Sequence, residues 1–503
     1  MGSQTRPGPP GCRESPALQS AKRGGVRRHS ASSLRASVSN RFSSPQPNVP
    51  GKGIVAGYGV GFWILVGAIG IAAGLAGAVL IELLKALEHL AWSFHSGTFL
   101  RAVKSVTAGR RVVVLLIAGV IAGIGGLLLK RLRGFGGGEI SEALWLQDGR
   151  LAFWPSLGRG TLSIVIVALG ASLGREAAPQ LAGGAFASRL SEWAQIPRWQ
   201  RRLLVACGAG AGMAAVYNVP LGGALFALEV LLGTVTLPLV LPALATSAIA
   251  TAVAWITLPT ASIYHVPNYR VSASQIVWAL IVGPLAGLGA VAWVRLIARA
   301  HRFRPVGRMR LVAPIVVLTA LGVVSIAYPE LLGNGMDTVQ LALLGQLAVG
   351  LIAVLVILKP VATAACLGSG APGGLFTPTL MYGVLFGALL GHAWTLIWPG
   401  AAEGSFAIIG GGAILAASMQ GPLAAIVLML ELAHHSDSLI VPLVIATAGA
   451  TVVARMIGAP SIYSARLGEN ASADADAALD AESLGRAGDG TDRAAAESHP
   501  DLG

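Results

Sequence analysis

Gly208–Val230 reads GAGAGMAAVYNVPLGGALFALEV, and Gly410–Leu432 reads GGGAILAASMQGPLAAIVLMLEL. Set on their prolines, the two stretches stay in register. Gly208 pairs with Gly410, Gly210 with Gly412, Pro220 with Pro422, Leu221 with Leu423, Leu228 with Leu430 and Glu229 with Glu431. Apolar sequences match by chance easily, so the paired proline and glutamate carry more weight than the paired alanines. A second echo runs beside the first: Gly174, Pro179, Leu181 and Gly184 return as Gly373, Pro378, Leu380 and Gly383. The chain is therefore read as two structural repeats, about 53–256 and 270–468. In transporters such repeats place a site between the halves, near mid-membrane, built from short or broken helices. Whether the halves are inverted turns on an odd or even number of spans, and the short apolar segments leave that count open.

Composition sets the solvent. Of 503 residues 54% are hydrophobic and only 12% charged, against about 25% charged in a soluble domain; mean hydropathy is +0.69. The 66 glycines suit membrane helices, where small residues let backbones approach. Apolar runs recur at Phe62–Leu84, Val112–Leu129, Thr161–Leu173, Leu237–Ile256, Ile276–Ala290, Leu311–Ile326, Val349–Leu358 and Phe406–Ala417. Some reach the roughly 20 residues that cross the hydrocarbon and others fall short. Three scattered cysteines give neither a disulfide framework nor a zinc site.

The net charge of +13 is unevenly placed. Residues 1–52 are basic, rich in Ser, Pro and Gly, and read as a disordered arm; 469–503 are acidic and read as a disordered tail. Lys and Arg just before the first span keep that end in the cytoplasm, a better account of the arm than nucleic-acid binding. The first apolar run is too long for a signal peptide. Between the arms lies one membrane domain, 53–468, with no soluble regulatory domain expected.

Four glycine-rich stretches interrupt the apolar runs: Gly134–Ile140 (GFGGGEI), Gly174–Pro179 (GREAAP), Gly368–Pro378 (GSGAPGGLFTP) and Gly458–Tyr463 (GAPSIY). Each reads as a loop feeding a helix N-terminus, where unpaired N–H groups carry about half an elementary charge. Several such ends converging on one point make an anion site without a full cation.

These stretches resemble the CLC family of chloride channels and chloride/proton antiporters. Gly368–Pro378, continuing to Gly383, matches the family's GSGAPGGxFxP signature, and GREAAP stands where the family reads GREGP. Asn218-Val-Pro-Leu, Phe226-Ala-Leu-Glu229, Gly421-Pro-Leu and Pro460-Ser-Ile-Tyr463 follow in family order. The resemblance covers most of 60–468. It implies an all-α integral membrane fold of two inverted repeats with many tilted, partial and broken helices. It also implies a homodimer with one pore per subunit, sitting multi-pass in the cell membrane with both termini cytoplasmic.

Carried over residue by residue, Glu176 matches the gating glutamate, Leu375 and Phe376 match positions whose backbone N–H groups hold the central anion, and Tyr463 matches the tyrosine whose hydroxyl donates to it. Phe135 stands at the family's serine position, which removes one hydroxyl ligand and leaves the amides of Phe135 and Gly136. Gly138 replaces the family's proline. Val230 follows Glu229 where many family antiporters carry a second glutamate as a proton relay, which favours a gated passive chloride channel over a chloride/proton antiporter. Glu229 and Glu431 are read as braces of short helices, and Arg175 as structural. No catalytic residue is found, and Glu431, His434 and His435 lack metal-site spacing. The expectation is thus a transporter of chloride or a similar small anion, not an enzyme, with no cofactor and no nucleic acid among its partners.

Overall fold

The structure, a computed structural model, describes Gly2 and residues 58–93, 97–131, 139–434 and 437–467. The basic arm, the acidic tail, Phe135 and Gly136 lie outside the described residues, apart from Gly2.

Among those residues the chain forms α1 Val60–Trp92, α2 Phe99–Ser105, α3 Ala108–Arg131, α4 Ile140–Leu146, α5 Phe153–Ala168, α6 Ala177–Trp193, α7 Arg198–Tyr217, α8 Pro220–Leu225, α9 Leu237–Ala254, α10 Ala273–Arg302, α11 Met309–Val324, α12 Met336–Leu343, α13 Val349–Gly368, α14 Phe376–Thr395, α15 Glu403–Met419, α16 Pro422–Leu432 and α17 Ile440–Met456. In hydrocarbon the backbone must satisfy its own N–H and C=O groups, so the apolar runs have no alternative to helix. Among the described residues seven helices are long and apolar enough to cross a membrane, and the shorter apolar ones have 10–17 residues. The chain is a multi-pass membrane protein of long, partial and broken helices. One expected run breaks: Thr161–Leu173 is helical only to Ala168, and Gly170 turns the chain at φ 102. The Gly333 N–H donates to the Gly170 carbonyl at 2.9 Å and holds that turn, which frees 171–176 as a loop.

The repeats pack alike. A Cβ at Gly70 or Gly74 of α1 would fall within 3.0 Å of Thr246, Ile249, Ala250 or Val253 on α9. Gly283 and Gly287 of α10 meet Ala446, Ala450 and Val453 of α17 in the same way. Close helix contact through small residues is how spans associate where lipid removes the hydrophobic drive. The same device brings α6 onto α7 at Gly183 and Gly208, and α14 onto α15 at Gly387 and Gly410, where a Cβ on either partner would enter the other's backbone.

Glu229 follows α8 on a π turn, Phe226–Leu231. Its carboxylate accepts from the N–H groups of Leu423 and Ala424 (3.2 and 2.6 Å) at the start of α16. Glu431, at the end of α16, accepts from Leu221 and Gly222 (3.0 and 2.6 Å) at the start of α8. End-to-start contact in both directions sets these helices antiparallel, as inverted repeats require. The repeat-related brace expected of the two glutamates is therefore present, and each binds the other half. A two-residue parallel pairing, Tyr264 with Ala433 and His265 with His434, ties the segment between the halves to the second half.

Candidate functional site

The loops before α6 and α14 meet. Gly174 and Gly374 form an antiparallel bridge, each N–H donating to the other's carbonyl at 2.8 Å. Two helix N-termini from opposite halves are thus pinned within a few residues of one another, each with its proline at the third helical position (Pro179, Pro378). That placement leaves the first N–H groups unpaired within the helix, as a helix start does, and proline has none to offer.

Glu176, the residue before α6, is 1% exposed and lies across this junction. Its Oε1 accepts from the Phe376 N–H at 2.6 Å, the first backbone donor of α14. Oε2 accepts from the Thr377 hydroxyl at 3.1 Å and the Tyr217 hydroxyl at 3.2 Å, and these two oxygens are 2.7 Å apart. No lysine or arginine is among these partners. A Cβ on Gly174 or Gly374 would collide with the carboxylate, so both glycines are required by the closeness of the approach. Arg175 does not pair with Glu176; its guanidinium stands 5.1 Å from the centre of the Tyr217 ring, which agrees with a structural role.

Leu375, at 2% exposed, and Phe376, at 1%, bury their side chains and present backbone to the junction. The α14 start is braced from behind: Thr379 Oγ1 donates to the Leu375 carbonyl at 2.6 Å and accepts from the Trp293 indole at 2.9 Å. Tyr463 lies on the other side. Its ring meets Phe226 edge-on at 5.6 Å, and it lines a cavity of about 50 Å³ together with Ala177, Pro372, Gly373, Gln180 and Arg466. Ala177 and Gly373 are the chain neighbours of Glu176 and Gly374, so the cavity, whose lining does not include Glu176 itself, reaches the residues next to the junction. It has room for more than one water-sized particle.

Beside that cavity Glu139 gathers three guanidinium groups: Arg159 at 2.8 Å, Arg466 at 3.0 Å and Arg304 at 3.9 Å. Two of these arginines, Arg159 and Arg466, line the cavity together with Glu139.

The expected residues Glu176, Leu375 and Phe376 are thus in one place, and Tyr463 lines a small cavity that reaches their chain neighbours Ala177 and Gly373. Tyr217, Thr377 and the arginines around Glu139 were not anticipated. Thr377 fills a variable place in its motif, and Tyr217 ends a helix otherwise built largely of small residues. A hydroxyl next to a donor position was the signal available.

A family model described as voltage gated chloride channel matches residues 118–455. The chain belongs to the voltage gated chloride channel family. It is 34% identical over 418 residues to a ClcB-like protein of Ralstonia nicotianae, covering 81% of this chain and 96% of that one. It is 31% identical over 412 residues to the voltage-gated ClC-type chloride channel ClcB of Citrobacter koseri, covering 78% and 96%. The CLC fold extends to solved structures: a slow cyanobacterial Cl−/H+ antiporter superposes with a TM-score of 0.71 at 22% identity, over 81% of this chain and 97% of that one.

Proposed function

We propose that this CLC protein carries chloride or a similar small monovalent anion across the cell membrane, along a path between the starts of α6 and α14, with Glu176 as its gate. The observation that carries the reading is the Glu176 carboxylate on the Phe376 N–H at 2.6 Å. A carboxylate held by helix-opening donors imitates the anion those donors attract. It leaves when an anion competes for the donors or when a proton removes its charge. Leu375 and Phe376 supply backbone donors, Tyr463 borders the next position, and Phe135 with Gly136 supply amides where the family has a serine. In this reading the working unit is a homodimer with one pore per subunit and cytoplasmic termini, the membrane domain being 53–468.

A passive channel is the preferred form. Val230 cannot take up a proton, and both carboxylate oxygens of Glu229 are engaged by Leu423 and Ala424. Support also comes from the relatives named as ClC-type chloride channels. A chloride/proton antiporter is the second reading, favoured by the antiporter whose structure superposes. Glu176→Gln in liposomes raises chloride efflux or removes its pH dependence; unchanged efflux with an unchanged pH response refutes the gate. Reversal potentials under opposed chloride and pH gradients separate the two forms. A channel follows chloride alone, and a shift with the pH gradient establishes the antiporter.

A further inference from the structure

The donors on the Glu176 carboxylate include backbone N–H groups, Phe376 among them, and two side-chain hydroxyls. The aim of Thr377 differs from that of four other helical threonines. Thr246, Thr251, Thr379 and Thr451 each return their hydroxyl to the carbonyl one turn back (2.6–2.9 Å), the ordinary choice for threonine in a helix. Thr377 instead points its hydroxyl at Glu176, although it is wholly buried. Tyr217 is 1% exposed and held from two sides, by the Arg175 guanidinium over its ring and by the Phe376 ring at 5.5 Å. Neither hydroxyl has to reorganise to meet an acceptor at this point.

Both oxygens are close to one acceptor and to each other, with only two protons between them. The ionised carboxylate brings none. The pair can therefore turn both protons on Oε2, or one on Oε2 and one between themselves. Any negative acceptor placed at Oε2 finds the same choice. When Glu176 withdraws, the Phe376 amide and two buried hydroxyls remain, facing the vacated position.

We infer that the hydroxyls of Thr377 and Tyr217 are side-chain ligands of the transported anion at the position the Glu176 carboxylate occupies, and that they help set which small monovalent anions are accepted. The inference deepens the gate reading and rests on it. It also answers the change at Phe135: the chain lacks a hydroxyl at the family's serine position and holds two at this one. The occupants that fit are of carboxylate size or smaller, such as a halide, nitrate or formate.

The test uses the full chain with Glu176→Ala, so that the carboxylate no longer competes. Chloride binding is read by isothermal titration in detergent, and the half-saturating chloride concentration for efflux is read in liposomes. Adding Thr377→Ala or Tyr217→Phe weakens chloride binding about tenfold, as expected for one hydrogen bond to a charged acceptor. Thr377→Ser keeps it within about twofold, and the chloride-to-nitrate efflux ratio shifts in the two weakened variants. Tyr217→Phe keeps the ring and its packing, so a folded variant is available if Thr377→Ala is not. Unaltered chloride affinity in both variants overturns the inference. Failure of the gate reading shows separately, as Glu176→Ala leaving efflux and pH response at parental values.

Discussion

Gly374 offers a way to dislodge the gate without touching it. A Cβ at this position would occupy the space of Glu176 Oε1, and it would lie 2.9 Å from the Glu176 Cγ. The obstacle is the far end of a flexible side chain, and Gly374 is not at positive φ, so the backbone tolerates alanine and the carboxylate is what moves. Moving it breaks at least the Phe376 N–H bond at 2.6 Å. A hydrogen bond to a charged group contributes about 1.5–3 kcal/mol. At about 1.4 kcal/mol per tenfold, Gly374→Ala shifts the closed-to-open ratio by about 10- to 150-fold. Chloride efflux from liposomes at two pH values measures it: Gly374→Ala flows faster than the parent and loses most of its pH response. In Gly374→Ala with Glu176→Ala the clash has no partner, and the double variant matches Glu176→Ala alone. A folded Gly374→Ala with parental flux and pH response refutes the reasoning, as does a double variant whose effects simply add.

Three further outcomes follow from the same geometry. Glu229→Gln and Glu431→Gln each weaken two hydrogen bonds at a half-buried helix start, and each lowers stability by about 1–2 kcal/mol, read as a fall in the thermal midpoint in detergent. Their effects are of similar size; loss of pH response in Glu229→Gln alone would instead make Glu229 a proton relay. Tyr463→Ala removes a wall of the cavity beside Ala177 and Gly373; it weakens chloride binding by titration with modest effect on flux, and unaltered affinity counts against that role.

The repeat was legible because it reuses residues that have few substitutes. Pro220 and Pro422 start helices, and Glu229 and Glu431 bind each other's helix starts. The glycine loops before α6 and α14 were legible for the same reason. Helices α6, α7 and α14 were not among the apolar runs, although they carry the site. They are wrapped by protein rather than lipid: in α7 nearly every residue from Leu203 to Tyr217 is buried. There glycine and alanine serve close packing, so hydropathy does not mark the helix. Tyr217 and Thr377 stand 160 residues apart in the chain, and no local pattern announces their contact. Glu139 and its arginines likewise come from four separate segments.

Symmetry between the halves explains the meeting of two helix starts, and its breakage explains the site. In the register that pairs Pro179 with Pro378, Glu176 corresponds to Leu375, Ala177 to Phe376 and Ala178 to Thr377. Of these two helix starts, one thus contributes the acceptor and the other the Thr377 hydroxyl, while the Tyr217 hydroxyl comes from the acceptor's own half. Each start carries about half a positive elementary charge, and two such ends pinned by the Gly174–Gly374 bridge repel unless something negative lies between them. In the parent Glu176 fills that role. In Glu176→Ala only an ion from solution can, so folding becomes linked to anion binding: saturation at about one hundred times Kd adds about 2.7 kcal/mol. The thermal midpoint of Glu176→Ala in detergent therefore rises with chloride at constant ionic strength, gluconate replacing it, while the parent's rises much less. A midpoint of Glu176→Ala indifferent to chloride would mean that these helix ends hold no anion, and the electrostatic account of the path would fail with it.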